Sequence, residues 1–297
     1  MILAKKGGKG MVNEGAYQAK APDPVPMTRE AFGRTNDTAV YWLTGAGIFL
    51  NSYGTTILID PILSLASDNP PISEVEDTPQ YTMPPVFAKD IYRVDAVLYT
   101  HADADHLGAL TVKELIKKDS VFHGTDKVKE RLLEIGVVEE KIISHNTEDR
   151  FKIGCVEVQM TPADHPWQMD YPDTQPYIYK PEDCCGFKFY TRNGIIWDPG
   201  DTRVLNEHFN NTDVDLLFMD FEDNSPLHHF GTENALRLAN HLKQADIIMF
   251  HWGTYYAPGK PWYATDPDKV RDRIERKERI LNPHPGEKIH VDYKNRR

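Results

Sequence analysis

The run Thr100-His101-Ala102-Asp103-Ala104-Asp105-His106 sets four ligand-type side chains within six residues, with only alanines between them. Spacers this small let a loop curl around an ion. Imidazole nitrogens suit zinc, iron or manganese, and carboxylates add the negative charge that stabilises a second cation. Similar side chains recur downstream: His165 in Thr161-Pro162-Ala163-Asp164-His165, Asp201 in Asp198-Pro199-Gly200-Asp201-Thr202, and His251 in Phe250-His251-Trp252-Gly253-Thr254. Alone, any one of them reads as a structural histidine or a turn aspartate, and the 101–106 run as a polar surface turn. Each follows an apolar, β-rich run, however, and α/β proteins place their sites where such strands end. Four such strand ends in order point to a metal site.

The elements that must position these groups are legible from patterning. Ala39–Thr44, Gly47–Asn51 and Thr55–Asp60 read as a meander of short strands punctuated by Gly45, Gly47 and Gly54. A loop rich in Pro and Asp follows from Ser67 to about Pro85, and Val94–Thr100 is a nearly continuous apolar strand of the kind buried on both faces. Thr111–Lys118 has helical character, Ser120–His123 is a strand, and Thr125–Gly136 is a helix capped by Thr125 and ended by Gly136. Strands follow at Lys141–His145 and Cys155–Thr161. Gly186–Thr191 and Ile195–Asp198 form a hairpin across Arg192-Asn193-Gly194. Strand Val214–Met219, a helix over Thr232–Lys243, strand Asp246–Phe250 and a last helix near Asp266–Leu281 complete the order. Strands dominate first and then alternate with helices, twice over, which two sheets covered outside by helices would accommodate.

The 297 residues hold 45 Asp plus Glu against 34 Lys plus Arg, a net charge of −11, with 40% apolar and 27% charged side chains. That composition is globular and excludes intrinsic disorder. The acid excess argues against nucleic acid and anionic membrane surfaces as partners, since a duplex binder shows a basic stripe. No apolar stretch approaches the ~20 residues of a membrane span. Met1 to Gly10 lacks the apolar core of a secretory signal, and the three cysteines do not pair evenly, so the expected location is cytoplasmic. Residues 1–37, with Pro22, Pro24 and Pro26, read as an extended N-terminal arm before a single domain over 38–297. The arm's alternative role, packing on a neighbouring subunit, leaves a homo-oligomer open.

The ordered motifs resemble the metallo-β-lactamase superfamily: the Thr-His-x-x-x-Asp-His run at 100–106, the isolated His165, Gly200-Asp201-Thr202, His251, and the upstream strand ending in Ile59-Asp60-Pro61. Phe250-His251-Trp252-Gly253-Thr254 and His229-Phe230-Gly231-Thr232-Glu233-Asn234-Ala235 are most similar to its ascorbate-6-phosphate lactonase-like branch. They are more distantly similar to the N-acylphosphatidylethanolamine phospholipase D group. The likeness covers about residues 38–275. It implies an α/β fold, a four-layer αββα sandwich with the site along one edge of two sheets. It also implies a first divalent ion held by His101, Asp103 and His165, a second by Asp105, His106 and His251, and Asp201 bridging both. A hydroxide between the ions would be the nucleophile, because coordination lowers the pKa of bound water to about 7. In the family the residue at position 103 is usually His. Aspartate is shorter and harder, so the first site is expected to bind through water or to prefer manganese or iron to zinc.

Asp105 and His229 are the expected catalytic residues. His229 sits before a helix where Thr232 can cap and Glu233 favours the dipole, and it would donate a hydrogen bond to an oxyanion or leaving group. Trp167, Tyr171, Tyr177, Trp252, Tyr255 and Tyr256 are candidate walls of a pocket for a small polar molecule, and Arg203 is a candidate anion contact. Cys184 and Cys185 read as packing residues. The function expected is a metal-dependent, lactonase-like hydrolase of a small ester, lactone or phosphate-bearing metabolite, with two Zn or Mn ions, Fe also being compatible. The alternatives are a phosphodiesterase or phospholipase D-like hydrolase, and a non-hydrolytic di-iron redox or sensor protein.

Overall fold

In the first strand, β1 (Thr38–Thr44), successive side chains enter two different cores. Val40 and Trp42 face one, and Ala39, Tyr41 and Leu43 the other. The same alternation runs through β2 (Gly47–Ser52), β3 (Thr55–Ile59) and, beyond the hairpin β4 (Leu65–Asp68) and β5 (Pro71–Ser73), β6 (Ala96–Leu98). A strand whose two faces are both buried must lie in an inner layer. The structure is a computed structural model describing residues 17–68, 71–75, 78–173, 175, 177–222, 227–258 and 265–294, so Met1–Gly10 lies outside the described residues.

The outer face of this sheet is covered by α1 (Ala109–Leu115) and, after β7 (Val121–Gly124), by α2 (Asp126–Ile135). These helices bury Val112, Leu115, Val128 and Leu132 against Tyr41, Phe49 and Leu58. Each such side chain contributes roughly 1.5–3 kcal/mol. The Val128 amide donates to the Thr125 hydroxyl, and Gly136 closes α2 at φ 109°, as the sequence predicts.

With β8 (Ile142–Ser144) and β16 (Ile289–Val291), the first sheet runs β16-β1-β2-β3-β6-β7-β8. The second holds β9 (Arg150–Ile153), β10 (Val156–Pro162), β11 (Cys185–Tyr190), β12 (Ile195–Asp198), β13 (Leu216–Met219), β14 (Asp246–Met249) and β15 (Ile280–Leu281), in the order β15-β14-β13-β12-β11-β10-β9. Its inner residues Val158, Met160, Phe187 and Phe189 meet Trp42, Ile48 and Ile57, and its outer face carries α3 (Gly231–His241) through Ala235, Leu238 and Ala239. The layers are therefore helix, sheet, sheet, helix.

Three expectations change. The last helix is only α4 (Pro267–Arg271); Arg276 then turns left-handed at φ 57° and the chain becomes β15. The reason is Arg279, whose guanidinium donates to the carbonyls of Ala239, Leu242 and Ala245 at the end of α3. A long charged helix would carry it away from those acceptors. Thr232 does not cap α3. Phe230 stands at the N-cap without a side-chain bond, and the Thr232 hydroxyl donates to Phe221 O at 3.0 Å. Finally, β9 and β16 were not anticipated, nor was the β4–β5 hairpin that enters the stretch read as a loop from Ser67, each of these strands being three or four residues long and too short to display a period.

The described part of the arm seats on its own chain, along the loop after β14. Ala21 N donates to Gly253 O (2.9 Å), and the Thr82 hydroxyl donates to Ala21 O (2.9 Å). The Gln18 amide donates to Tyr255 O (2.8 Å) and accepts from Ala257 N (3.0 Å).

Away from the strand ends discussed below, His123, His145 and Phe151 stack between the sheets with nearly parallel rings, His145 and Phe151 at 3.8 Å between centroids. Burial, and then the neighbouring His145, hold His123 down to about 4. The unfolded chain therefore binds this proton more readily, and stability falls as acid is added from roughly pH 6.5 to 4. His123→Phe should remove roughly 3 kcal/mol of that pH dependence. Urea midpoints over this range would check it; parallel curves for the two proteins would refute it.

Candidate metal centre

Strands β3 and β6 run parallel, and in the second sheet β12, β13 and β14 are parallel while β10, two antiparallel steps from β12, points the same way. Their carboxyl ends deliver Asp60, the 100–106 loop, His165, Asp201, Asp220 and His251. Cys185 N, donating to Thr100 O at 2.9 Å, ties the two sheets together there. Asp60 and His251 both leave their strands at positive φ, 43° and 63°. Non-glycine residues tolerate this at a cost of order 1–3 kcal/mol when their surroundings fix them. Asp60 N donates to Leu98 O and His251 N to Gly45 O.

The ligand-type atoms gather in overlapping groups: His101 with Asp103 and His165; Asp105 with His106 and His251; His101 with His106 and Asp201; His165 with Asp201 and His229; and Asp201 with Asp220 and His251. All seven residues singled out as metal ligands from the sequence are thus brought together. Asp201 belongs to three of the five groups.

Hydrogen bonding fixes how three imidazoles face this space. Thr100 gives its one hydroxyl proton to Asp60 Oδ2 (2.5 Å), so toward His101 it accepts, at 2.9 Å from Nδ1. His106 Nδ1 donates to Asp60 Oδ2 (2.8 Å) and His165 Nδ1 to His228 O (2.8 Å). Each ring then turns Nε2 inward: His101 Nε2 lies 3.1 Å from Asp103 Oδ2, His165 Nε2 lies 3.5 Å from that same oxygen, and His106 Nε2 lies 3.2 Å from Asp201 Oδ2. His101 Nε2 is buried and makes no hydrogen bond. A nitrogen lone pair aimed at a carboxylate oxygen in a buried site needs a cation between them, either a proton or a metal.

The electrostatics agree. Burial pushes Asp201 up, but His106, His251 and His229 overcome it and hold the carboxyl well below its ordinary range. Asp103 is lowered against its burial by His101 and His165, and Asp105 by His251 and His106. Burial pulls His106 down, and Asp201 and Asp60 more than reverse this. His229 goes the other way, held neutral by burial and by the neighbouring histidines against the pull of Asp201. Its Nε2 is 3.9 Å from Asp201 Oδ2 and its Nδ1 3.6 Å from Asp220 Oδ2.

The family comparison agrees with this geometry. The model of the beta-lactamase superfamily domain matches residues 55–252. The chain belongs to the beta-lactamase superfamily. Among similar proteins is a metal-dependent hydrolase of Pyrococcus furiosus, 26% identical over 79% of this chain and 92% of its own length. Another similar protein is an N-acyl-phosphatidylethanolamine-hydrolyzing phospholipase D of Caenorhabditis elegans, 21% identical over 85% of this chain and 74% of its own length. Among solved structures, the fold is shared with the isothiocyanate hydrolase from Delia radicum gut bacteria. That match has a TM-score of 0.65 and 20% identity, over 84% of this chain and 98% of that one.

Other residues of this superfamily member sit differently from expectation. Trp252 is buried and stacks on Trp42, and Tyr255 is buried with Ile62 and Val75, so both are core rather than pocket wall. Tyr171, Tyr177 and Tyr256 are exposed, and Trp167 packs beside Tyr179 and Cys184. Arg203 donates from Nε to Asp164 Oδ2 at 2.7 Å, so one side of its guanidinium is engaged by that carboxylate. Cys184 and Cys185 are buried free thiols, in line with a packing role.

Four residues near the centre escaped sequence reasoning as site residues: Asp60 as partner of His106, Asp220, Glu222 and Tyr179. Burial pushes the Asp220 carboxyl up, and it pushes Glu222 well up. Asp220 follows an apolar strand, as Asp201 does, and that position was the available signal.

Proposed function

We propose that the chain is a metal-dependent, lactonase-like hydrolase of a small ester, lactone or phosphate-bearing metabolite, with its centre at these strand ends. His101, Asp103 and His165 would hold one ion, Asp105, His106 and His251 a second, and Asp201 would lie between them. The observation that carries this reading is the set of three imidazoles whose Nδ1 atoms are engaged and whose Nε2 atoms face carboxylate oxygens. The buried Nε2 of His101 without a hydrogen bond, in a set of nitrogen and oxygen donors, fits zinc or manganese, and iron as well. Bound there, such ions supply Lewis acidity and an ionised water at neutral pH.

The chain's own groups do the rest. Asp60 and the His228 carbonyl fix the tautomers of His106 and His165, so that both present Nε2. His229, neutral and buried, offers a ring N–H to charge developing on a substrate oxygen or leaving group. Asp105, 3.6 Å from His251 Nε2, stays ionised beside the reacting space.

A second reading, hydrolysis of a phosphodiester with an apolar part, is favoured by the exposed Met169, Tyr171, Tyr177, Ile178 and Leu227 on the loops after His165 and before His228. Among the described residues no helix is long and apolar enough to cross a membrane. Elemental analysis of protein purified without chelator, followed by lactones, phosphodiesters and sugar phosphates as substrates, decides between the readings. Two equivalents of zinc or manganese with lactone turnover is the expected result. Phosphodiester turnover alone would favour the second reading, and two equivalents of iron with no hydrolysis would overturn both.

A further inference from the structure

The two carboxylate oxygens of Asp103 are treated differently. Oδ2 faces both His101 Nε2 and His165 Nε2, whereas Oδ1 accepts from the Tyr179 hydroxyl at 2.8 Å. The tyrosine is itself held firmly. Its amide donates to Gln168 Oε1 at 3.0 Å, and its ring packs with Ala163, Cys184 and Trp167 and stands edge-on to His101. The chain just beyond is pinned by Asp183, which accepts from Lys180 N and from the Tyr177 hydroxyl, and whose carbonyl accepts from Thr125.

We infer that Tyr179 is a positioning residue for the metal centre: by occupying Oδ1 it locks the Asp103 carboxylate so that Oδ2 alone is offered to an ion at the His101–Asp103–His165 position. The physical case is one of freedom. A carboxylate has two oxygens and about four acceptor directions, and a short side chain on a loop can turn either toward a cation or bind through both. An imidazole has one free nitrogen once the other is engaged, so a histidine at this position would need no such restraint. An O–H bond to the ionised acid removes one oxygen from competition and fixes the carboxylate plane. It does for Asp103 what Asp60 does for His106, and losses of such outer partners cost 10–100-fold in metal affinity. A phenol suits the task because its hydroxyl donates one bond, here to Asp103 Oδ1 at 2.8 Å, without bringing a competing charge.

This inference rests on the metal-centre reading, and a titration of five proteins separates the two. Zinc and manganese are titrated by calorimetry at one fixed pH into metal-stripped wild type, Tyr179→Phe, Asp103→His and the double variant, with His101→Ala as control. Tyr179→Phe should weaken the ion at the first position about 10-fold and leave stoichiometry at the other unchanged. In the Asp103→His background the same change should alter affinity less than about 2-fold, because the acceptor is gone. Equal losses in both backgrounds would make Tyr179 a general structural residue, and no loss in wild type would remove it from the centre; either overturns the inference. If His101→Ala binds metal as wild type does, the centre itself is misplaced and the inference falls with it. A loss in His101→Ala together with an unaffected Tyr179→Phe sinks only the role of the tyrosine. Circular dichroism of Tyr179→Phe should match wild type, and if it does not, Tyr179→Trp, which keeps a ring but moves its donor, is expected to bind as weakly.

Discussion

Asp201→Ala is expected to lower metal affinity by about 100-fold or more, above what the loss of an outer partner alone costs, and to remove turnover with it. Asp201 sits on the sharp turn after β12, where Gly200 takes φ 67° and an added Cβ would lie 3.2 Å from the Thr100 side chain. That turn aims a buried carboxylate at His106, His229 and His251 together. Among the described residues, no other carboxylate joins three of the ligand-type groups. Its charge offsets the repulsion between two cations, so its loss should empty the centre before it disturbs the sheets. Metal content, turnover and circular dichroism measured on one preparation test this, with Asp201→Asn, which keeps the shape and drops the charge, as the companion variant. Normal metal content and full turnover in Asp201→Ala would remove the residue from the centre.

Gly253→Ala is expected to destabilise the protein by roughly 3 kcal/mol. Gly253 sits two residues beyond His251 at φ 64°, where an L side chain costs about 1–2 kcal/mol. A Cβ there would also run into the backbone of Lys20 and Ala21. The arm must then back away, and the bonds Ala21 N to Gly253 O and Thr82 Oγ1 to Ala21 O are lost, at about 1 kcal/mol each. Because the arm holds the loop that carries His251, metal affinity should fall as well. Denaturant unfolding with and without metal would show both effects. An unchanged midpoint would mean that the arm is not holding the loop.

What could be read from the chain alone was whatever is written locally. His101, Asp105, His106, His165, Asp201 and His251 each follow an apolar run, and residue type plus strand end suffices to propose that they meet. The period-two alternation of β1 to β3 and the Thr125 and Gly136 signals of α2 are local in the same way. What was missed depends on partners distant in sequence. Asp60 reads only as the end of a β-rich run until His106 is seen donating to it. Tyr179 reads as one tyrosine among several until its hydroxyl meets Asp103. Trp252 and Tyr255 look like pocket walls because they neighbour His251 in sequence, but their rings turn into the core. The charged 266–281 stretch reads as a helix until Arg279 finds the end of α3.

The centre draws on the chain from Asp60 to His251 and on the ends of strands in both sheets. Contacts of such sequence separation are entropically costly to close and form late in folding. A chain that has collapsed but not yet docked its two sheets has the 101–106 loop without His165, Asp201 or His251, and so has no cage for an ion. Metal would therefore arrive after the rate-limiting step, leaving the speed of folding unchanged while slowing the escape from the finished state. The loaded protein would persist through kinetic resistance to unfolding, with the ion acting as a latch set last.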